Sequence, residues 1–295
     1  MTDARGADDA HSAGGTAEDE ASDGPALADR EWRLIREESL PGPLCMAYDA
    51  VAAETAAAGG PRTVRVYQWS PSTLSLGYRN DPEDIDWAFC EREGIDVVRR
   101  PTGGGAIYHD EFGDISYSTI APASELPGDL METYDLLCEP LLTACAEMGV
   151  PAGFAEESYP ELYEPACYLR ELHPAHDVVY EGRKLSGNAQ YRRRNSVIQH
   201  GSLTFSSCPE RTLPCFTDPS VGPDAFRERV TGIDEHADLS REEAVETLES
   251  ALGAWADAEE GSWTDAEHER AREIAREKFD SDAWNRDRVD PLERA

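Results

Sequence analysis

Acidic side chains crowd most of this chain and then stop. About one residue in five is Asp or Glu, yet residues 55–80, 97–109 and 183–209 contain neither. At a formal net charge of −33, a solvated face of this protein carries carboxylates. Segments that lack them are core, or face something negative, or both. Strands are poor in Asp and Glu, so buried strands explain part of the pattern. They do not explain Arg62, Arg65, Arg79, Arg99, Arg100, Arg183, Lys184, Arg192, Arg193 and Arg194, which all fall inside these windows. The distribution predicts core strands that carry a positive pocket for a phosphate or another anion.

The charge also bounds the class of protein. Self-repulsion at this density destabilises a compact state in dilute salt. It is screened at 1 M salt, where the Debye length is about 3 Å. Six Trp, eleven Tyr and several β-branched runs argue for a folded core after about Ala28 rather than a disordered acidic chain. The reading is a folded protein adapted to a high-salt cytoplasm. Circular dichroism should show unfolding as KCl falls from molar to about 0.1 M, where screening reaches only about 10 Å. Equal stability at both salts would count against that adaptation. Such a surface disfavours nucleic acid as a partner. Residues 1–28 are acidic and rich in Gly, Ala and Ser, and are expected to form a disordered tail. The first residues lack the basic and apolar regions of a secretory signal, and no apolar run of about 18 residues occurs. A soluble, cytoplasmic protein with no membrane partner is expected.

From about Glu31, strands and helices interleave. "PLCMAYDAVAAETAAA" reads as a helix stopped by Gly59-Gly60-Pro61. "TVRVYQWS" and "TLSLGYR" read as strands joined at Ser70-Pro71-Ser72. "DPEDIDWAFCEREG" reads as a short helix with an acidic first turn and a stop at Gly94. "IDVVRR", "AIYHD" and "DISYSTIAP" read as strands, with glycines between the first two. "LMETYDLLCEPLLTACAEMG" has helical spacing and a kink expected at Pro140. "HDVVYEGRKLSGNAQYRRRNSVIQHGSLTFS" fits two or three strands with tight turns. Two final helices carry capping boxes, Ser240 with Glu243 and Thr264 with Glu267. Strand pairs joined by short turns favour an α+β fold, a mixed, largely antiparallel sheet flanked by helices. The expected organisation is the tail 1–28, a main domain 29–225, and a C-terminal helical segment 226–295 packed on it.

Seven scattered cysteines without a C-x2-C pair suggest neither a disulfide framework nor a zinc site. His173 and His176 form an H-x2-H without partner ligands, so no metal site is expected. "TGGGA" is neither a dinucleotide-binding loop, because a strand follows, nor a P-loop, because no Gly-Lys-Ser/Thr follows. Alone it fits a turn as well as a site. With Arg99 and Arg100 before it, its amides can form an anion-binding nest. In "GRKLSGNAQYRRR", Lys184 lies on a strand beside a Ser-Gly-Asn turn. A lysine fixed in a pocket polarises a carbonyl or neutralises a phosphate. Cys167, on the loop of "EPACYLRELHP", precedes it by seventeen residues. Near Lys184 its thiolate would be favoured and nucleophilic.

These segments also carry a resemblance. "RRPTGGGAIYHD" and "GRKLSGNAQYRRRNSVIQHGSL" are similar to the two hallmark segments of the biotin/lipoate protein ligase superfamily, in its lipoate–protein ligase A and octanoyltransferase branch. "CMAYDAVAAE", "YQWSPSTLSLGYRN" and "KFDSDAWN" resemble its weaker segments, so the likeness runs from about Glu31 to Asn285. It implies that superfamily's catalytic-domain fold for 29–225. It implies an acyl or acyl-adenylate pocket lined by Arg99, Arg100, Thr102, Gly103, Gly104, Gly105 and His109, where glycines let the backbone lie against a carbonyl or phosphate. It places the family's essential lysine at Lys184, with Ser186, Gly187, Asn188 and Ala189 beside the substrate. Cys167 falls where cysteine-dependent octanoyltransferases carry their nucleophile.

The implied reaction takes an octanoyl or lipoyl group from acyl carrier protein onto Cys167, then onto a lysine of a lipoyl domain or glycine-cleavage H protein. A monomer without cofactors is expected to suffice. The alternative is a lipoate–protein ligase using ATP and Mg, in which lipoyl-AMP forms, Lys184 contacts the adenylate and Cys167 is a bystander. Thr102 leans towards the transferases and Gly105 towards the ligases. A non-catalytic acyl-adenylate-binding protein is a third reading; the presence of Lys184 and the lack of a DNA-binding segment weigh against it.

Overall fold

The computed structural model describes residues 31–172, 177–193 and 195–294. The expected tail 1–28, the pair His173 and His176, and Arg194 lie outside the described residues. The first element is a strand the sequence reading lacked, β1 (Trp32–Leu40). "WRLIREESL" is too charged to read as a core strand, and its charges turn out to be paired with distant segments. Arg33 meets Glu267 at 2.6 Å, Arg36 meets Glu249 at 2.6 Å and Glu260 at 2.7 Å, and Glu37 meets Arg241 at 2.6 Å. Helix α1 (Gly42–Ala57) follows, rich in alanine, and gives way to Gly59 at φ +88°. It forms the crossover to β2 (Arg62–Trp69), which pairs with β1 in parallel.

The strands β3 (Thr73–Leu76), β4 (Asp96–Arg99) and β5 (Ile107–His109) make a small sheet in the order β4-β3-β5. The single helix expected between β3 and β4 is two pieces, a 3-10 turn Pro82–Asp84 and α2 (Trp87–Arg92). Each piece has its own aspartate cap, Asp81 accepting from the Glu83 amide and Asp86 from the Phe89 amide.

Next come β6 (Asp114–Pro122) and α3 (Leu130–Glu147), which runs through Pro140 without a break. They are followed by β7 (Gly153–Phe154), β8 (Val178–Tyr180), β9 (Arg183–Arg192) and β10 (Ser196–Thr204). The chain continues with α4 (Pro209–Thr212), α5 (Pro223–Arg229), α6 (Arg241–Ala256), β11 (Glu259–Glu260) and α7 (Asp265–Ile274). A π-helical turn, Ala275–Phe279, leads to α8 (Asp282–Asn285). The large sheet has the order β11-β1-β2-β6-β10-β9-β8-β7. Both pairings of β1 are parallel and the others antiparallel, so the sheet is mixed and largely antiparallel. Both capping boxes form as expected. Burial works to raise Glu267, but Arg33, the Thr264 amide and Thr55 together bring it down to about 2.

Strand alternation sorts the large sheet into two faces. Val64, Val66, Ile115, Tyr117 and Leu203 pack under α3 and α6. Tyr67, Trp69, Ile120 and Ile198 pack under α1 and α7. Along β6 and β10 this second face turns polar, with Ser116, Ser118, His200 and Ser202 all buried. The small sheet, the Cys167 turn and α5 have a separate apolar cluster. The polar stretch lies between the two clusters.

Candidate active site

The two glycine-bearing segments meet there, around a narrow cavity of about 40 Å³. Gly103 and Gly104 line it from one side, and Gly187, Asn188 and Ala189 from β9 line another. Cys167, His109 and Arg100 also border it.

Cys167 begins a 3-10 turn and is half-buried. Its loop is docked on the residue after the glycines: the Ala106 amide donates to the Pro165 carbonyl at 2.7 Å, and the Cys167 amide to the Ala106 carbonyl at 2.8 Å. A Cβ at Gly105 would stand 2.6 Å from the Cys167 nitrogen. No side chain fits there, so the glycine that leaned towards the ligases is the one this cysteine loop requires. The glycine next to it, Gly104, has φ +88°, and a Cβ on Gly77 would lie 2.0 Å from its carbonyl oxygen. These glycines bring the protein's own backbone segments together; Gly104 also lines the cavity, whereas Gly105, expected there, is taken up by the Cys167 loop.

Lys184 projects from β9 and is buried. Its Nζ lies 3.8 Å from Cys167 Sγ and donates to the Cys167 carbonyl at 3.3 Å. On its other side it meets Asp177 Oδ1 at 2.6 Å. Burial pushes Lys184 down, but Cys167 and Asp177 outweigh it and hold the ammonium above its ordinary value. A charged Lys184 cannot act as a base; it stabilises negative charge formed beside it. The sequence reading missed Asp177. The signal was present, an acid opening the strand that pairs with the lysine strand, with Val179 opposite Lys184.

Arg99 and Arg100 diverge, as adjacent residues of an extended segment must. Arg100 stays at the cavity and ties the loop together, donating to Ser75 O at 2.8 Å, Gly103 O at 3.0 Å and Gly105 O at 2.6 Å. Arg99 turns away from the cavity to the carbonyls of Gly77, Tyr78, Asn80 and Asn285. The C-terminal signature answers it, with Asn285 Oδ1 accepting from the Arg99 amide at 2.8 Å and Trp284 Nε1 donating to its carbonyl at 2.6 Å. Thr102 and Ser186 are buried just behind the lining residues.

Two histidines, one of them unexpected, complete the walls. His109 stacks on Trp69 at 4.2 Å, with Nδ1 against Asp114 at 3.0 Å and Nε2 against Ser75 at 2.8 Å. His200 joins Thr102 at 2.8 Å and Asp49 at 3.5 Å. Burial holds His200 below its ordinary value despite Asp49, so the ring is neutral near pH 7. Neither Asp49, in the alanine-rich helix, nor His200 had a local signal. Of the cations in the acid-free windows, Arg62 pairs with Glu125, Arg65 with Asp49 and Arg183 with Glu235. Lys184 and Arg100 remain as the charges beside the cavity. It is therefore less positive than the windows implied.

Residues 43–253 match the family model described as the lipoyl protein ligase A/B catalytic domain. The octanoyltransferase LipM of Kyrpidia tusciae is 34% identical over 274 residues, covering 86% of this chain and 98% of the relative. The octanoyltransferase LipM of Geobacillus kaustophilus is 31% identical over 277 residues, covering 88% and 99%. Among solved structures, a bipartite lipoate protein ligase from Thermoplasma acidophilum aligns with a TM-score of 0.71 at 22% identity, over 87% of this chain and 96% of that one. That last likeness is one of fold. Among the described residues, no helix is long and apolar enough to cross a membrane.

Proposed function

Since the chain belongs to the lipoyl protein ligase A/B catalytic-domain family, we propose that it is an octanoyltransferase working through an acyl-enzyme on Cys167. The observation that carries this reading is the placement of Cys167 Sγ 3.8 Å from a charged, buried Lys184 at the cavity where the glycine loop and β9 meet.

In the first step Sγ attacks the carbonyl carbon of an octanoyl thioester on a carrier protein. The tetrahedral oxyanion forms beside Lys184, which already carries the positive charge needed to stabilise it. Collapse breaks the donor carbon–sulfur bond, and the departing thiol leaves with the proton that Cys167 gave up. In the second step a lysine amine of a lipoyl domain or H protein attacks the Cys167 thioester. An amide forms, and Cys167 regains its proton from the amine. Atoms balance without ATP, metal or redox cofactor. Asp177 holds Lys184 in place, and the neutral His200 in the wall suits an uncharged chain. The enzyme acts as a monomer.

Mass spectrometry of the protein after incubation with octanoyl-carrier protein is the test. The expected result is one added octanoyl mass without ATP, removed by hydroxylamine. No adduct, together with acceptor modification from octanoate or lipoate only when Mg-ATP is supplied, would overturn the proposal in favour of the ligase.

A further inference from the structure

We propose that Met46 is the end-stop that fixes the length of the transferred acyl chain; this rests on the octanoyltransferase reading. The cavity has two distinguishable ends. Gly103 and Gly104 belong both to it and to a shallow depression beside Tyr78, Arg79 and Arg170 on the outside, so that end is the mouth. Cys167 is on this side: a Cβ on Gly105, next to these two glycines, would lie 2.6 Å from its nitrogen. The inner end is formed by Met46, Tyr67 and Trp69, all buried in the other apolar cluster, under α1.

The histidine and serine side chains along the shaft between the ends are already partnered within the protein. His109 has Ser75 and Asp114, and His200 has Thr102 and Asp49. Ser116 accepts from Trp69 Nε1 at 2.8 Å and donates to Asp114 at 2.6 Å. A methylene chain entering from Cys167 therefore meets satisfied side chains along the shaft and hydrocarbon and aromatic surface at its end.

Of the three inner residues, two are fixed. Trp69 is stacked on His109 and hydrogen-bonded to Ser116. Tyr67 lies under the Arg65 guanidinium, 4.1 Å from its ring centre. Met46 is unbranched and flexible. The start of its helix packs closely on the small sheet, where even a Cβ at Gly42 would lie 2.9 Å from Thr73. The depth available to a chain is thus set by the side chain at position 46.

The test is a kcat/KM series with hexanoyl-, octanoyl-, decanoyl- and dodecanoyl-carrier proteins. Wild type should peak at octanoyl. Met46→Ala removes three side-chain heavy atoms, room for about two methylenes, and should raise the decanoyl-to-octanoyl ratio about 10-fold or more. Met46→Phe should shift preference towards hexanoyl by a similar factor. Two folded variants with the wild-type length profile would overturn the assignment, and the opposite-sized pair guards against one failing to fold. If wild type accepts no carrier-bound acyl group, the transferase reading fails instead. The same series run with free acids and Mg-ATP then reads the role of Met46 independently.

Discussion

Cys167→Ser is expected to lower octanoyl transfer from carrier protein by at least about 10³-fold without changing the thermal unfolding midpoint. Serine is nearly the size of cysteine but a far weaker nucleophile at its ordinary pKa. The residue is half-buried in a turn held by backbone contacts, which the substitution leaves alone. The measurement is acceptor modification with octanoyl-carrier protein as donor, alongside the intact mass of the variant. The adduct should vanish with the activity. ATP-dependent acceptor modification by Cys167→Ser at near wild-type rate would make the cysteine a bystander and the enzyme a ligase.

Lys184→Ala should cost about 10²–10³ in kcat, the usual loss when one preorganised charge-stabilising group is removed. Here the substitution also strips Asp177 of a buried cation at 2.6 Å. Breaking a buried pair by removing one partner can cost up to about 3–5 kcal/mol in stability, so a fall in activity alone is ambiguous. The double variant Lys184→Ala with Asp177→Asn removes both charges and should recover part of the stability but none of the rate. Lys184→Arg keeps the charge and should keep part of the rate. Full activity in a folded Lys184→Ala protein would remove the basis for the mechanism.

What the sequence disclosed depended on how local each cause is. Capping boxes, glycine stops and the alanine-rich helix are set by neighbours in the chain, and these were legible. Strand β1 was hidden because its charges are neutralised by residues more than two hundred positions away, such as Glu267. The acid-free windows did mark strands whose cations face negative groups, but those groups are largely the protein's own. Arg62, Arg65 and Arg183 meet carboxylates supplied from outside the windows, and Arg99 meets carbonyls. Composition cannot distinguish a ligand's charge from a distant side chain's. The divergence of Arg99 and Arg100 was available in advance, since adjacent residues in an extended segment face opposite ways. Cys167 and Lys184 could be nominated by resemblance. Asp177 had a local signal in its place at the head of the strand beside Lys184, whereas Asp49 and His200 emerge only when the hairpins and helix α1 are folded together.

The link from Trp284 and Asn285 to Arg99 has a consequence in time. The partners are separated by 186 positions in the case of Asn285. Closing so long a loop adds little to the equilibrium cost, which grows only logarithmically with length. It does order events, because contacts between remote parts of a chain form late and slow. During synthesis the strand that leads into the glycine loop is made first and waits for its clamp until 186 further residues have been added. A molecule lacking Trp284 and Asn285 can build much of its sheet and still lack a pinned loop beside Cys167. The strand before the glycine loop is thus held at its Arg99 end only once Trp284 and Asn285 are in place.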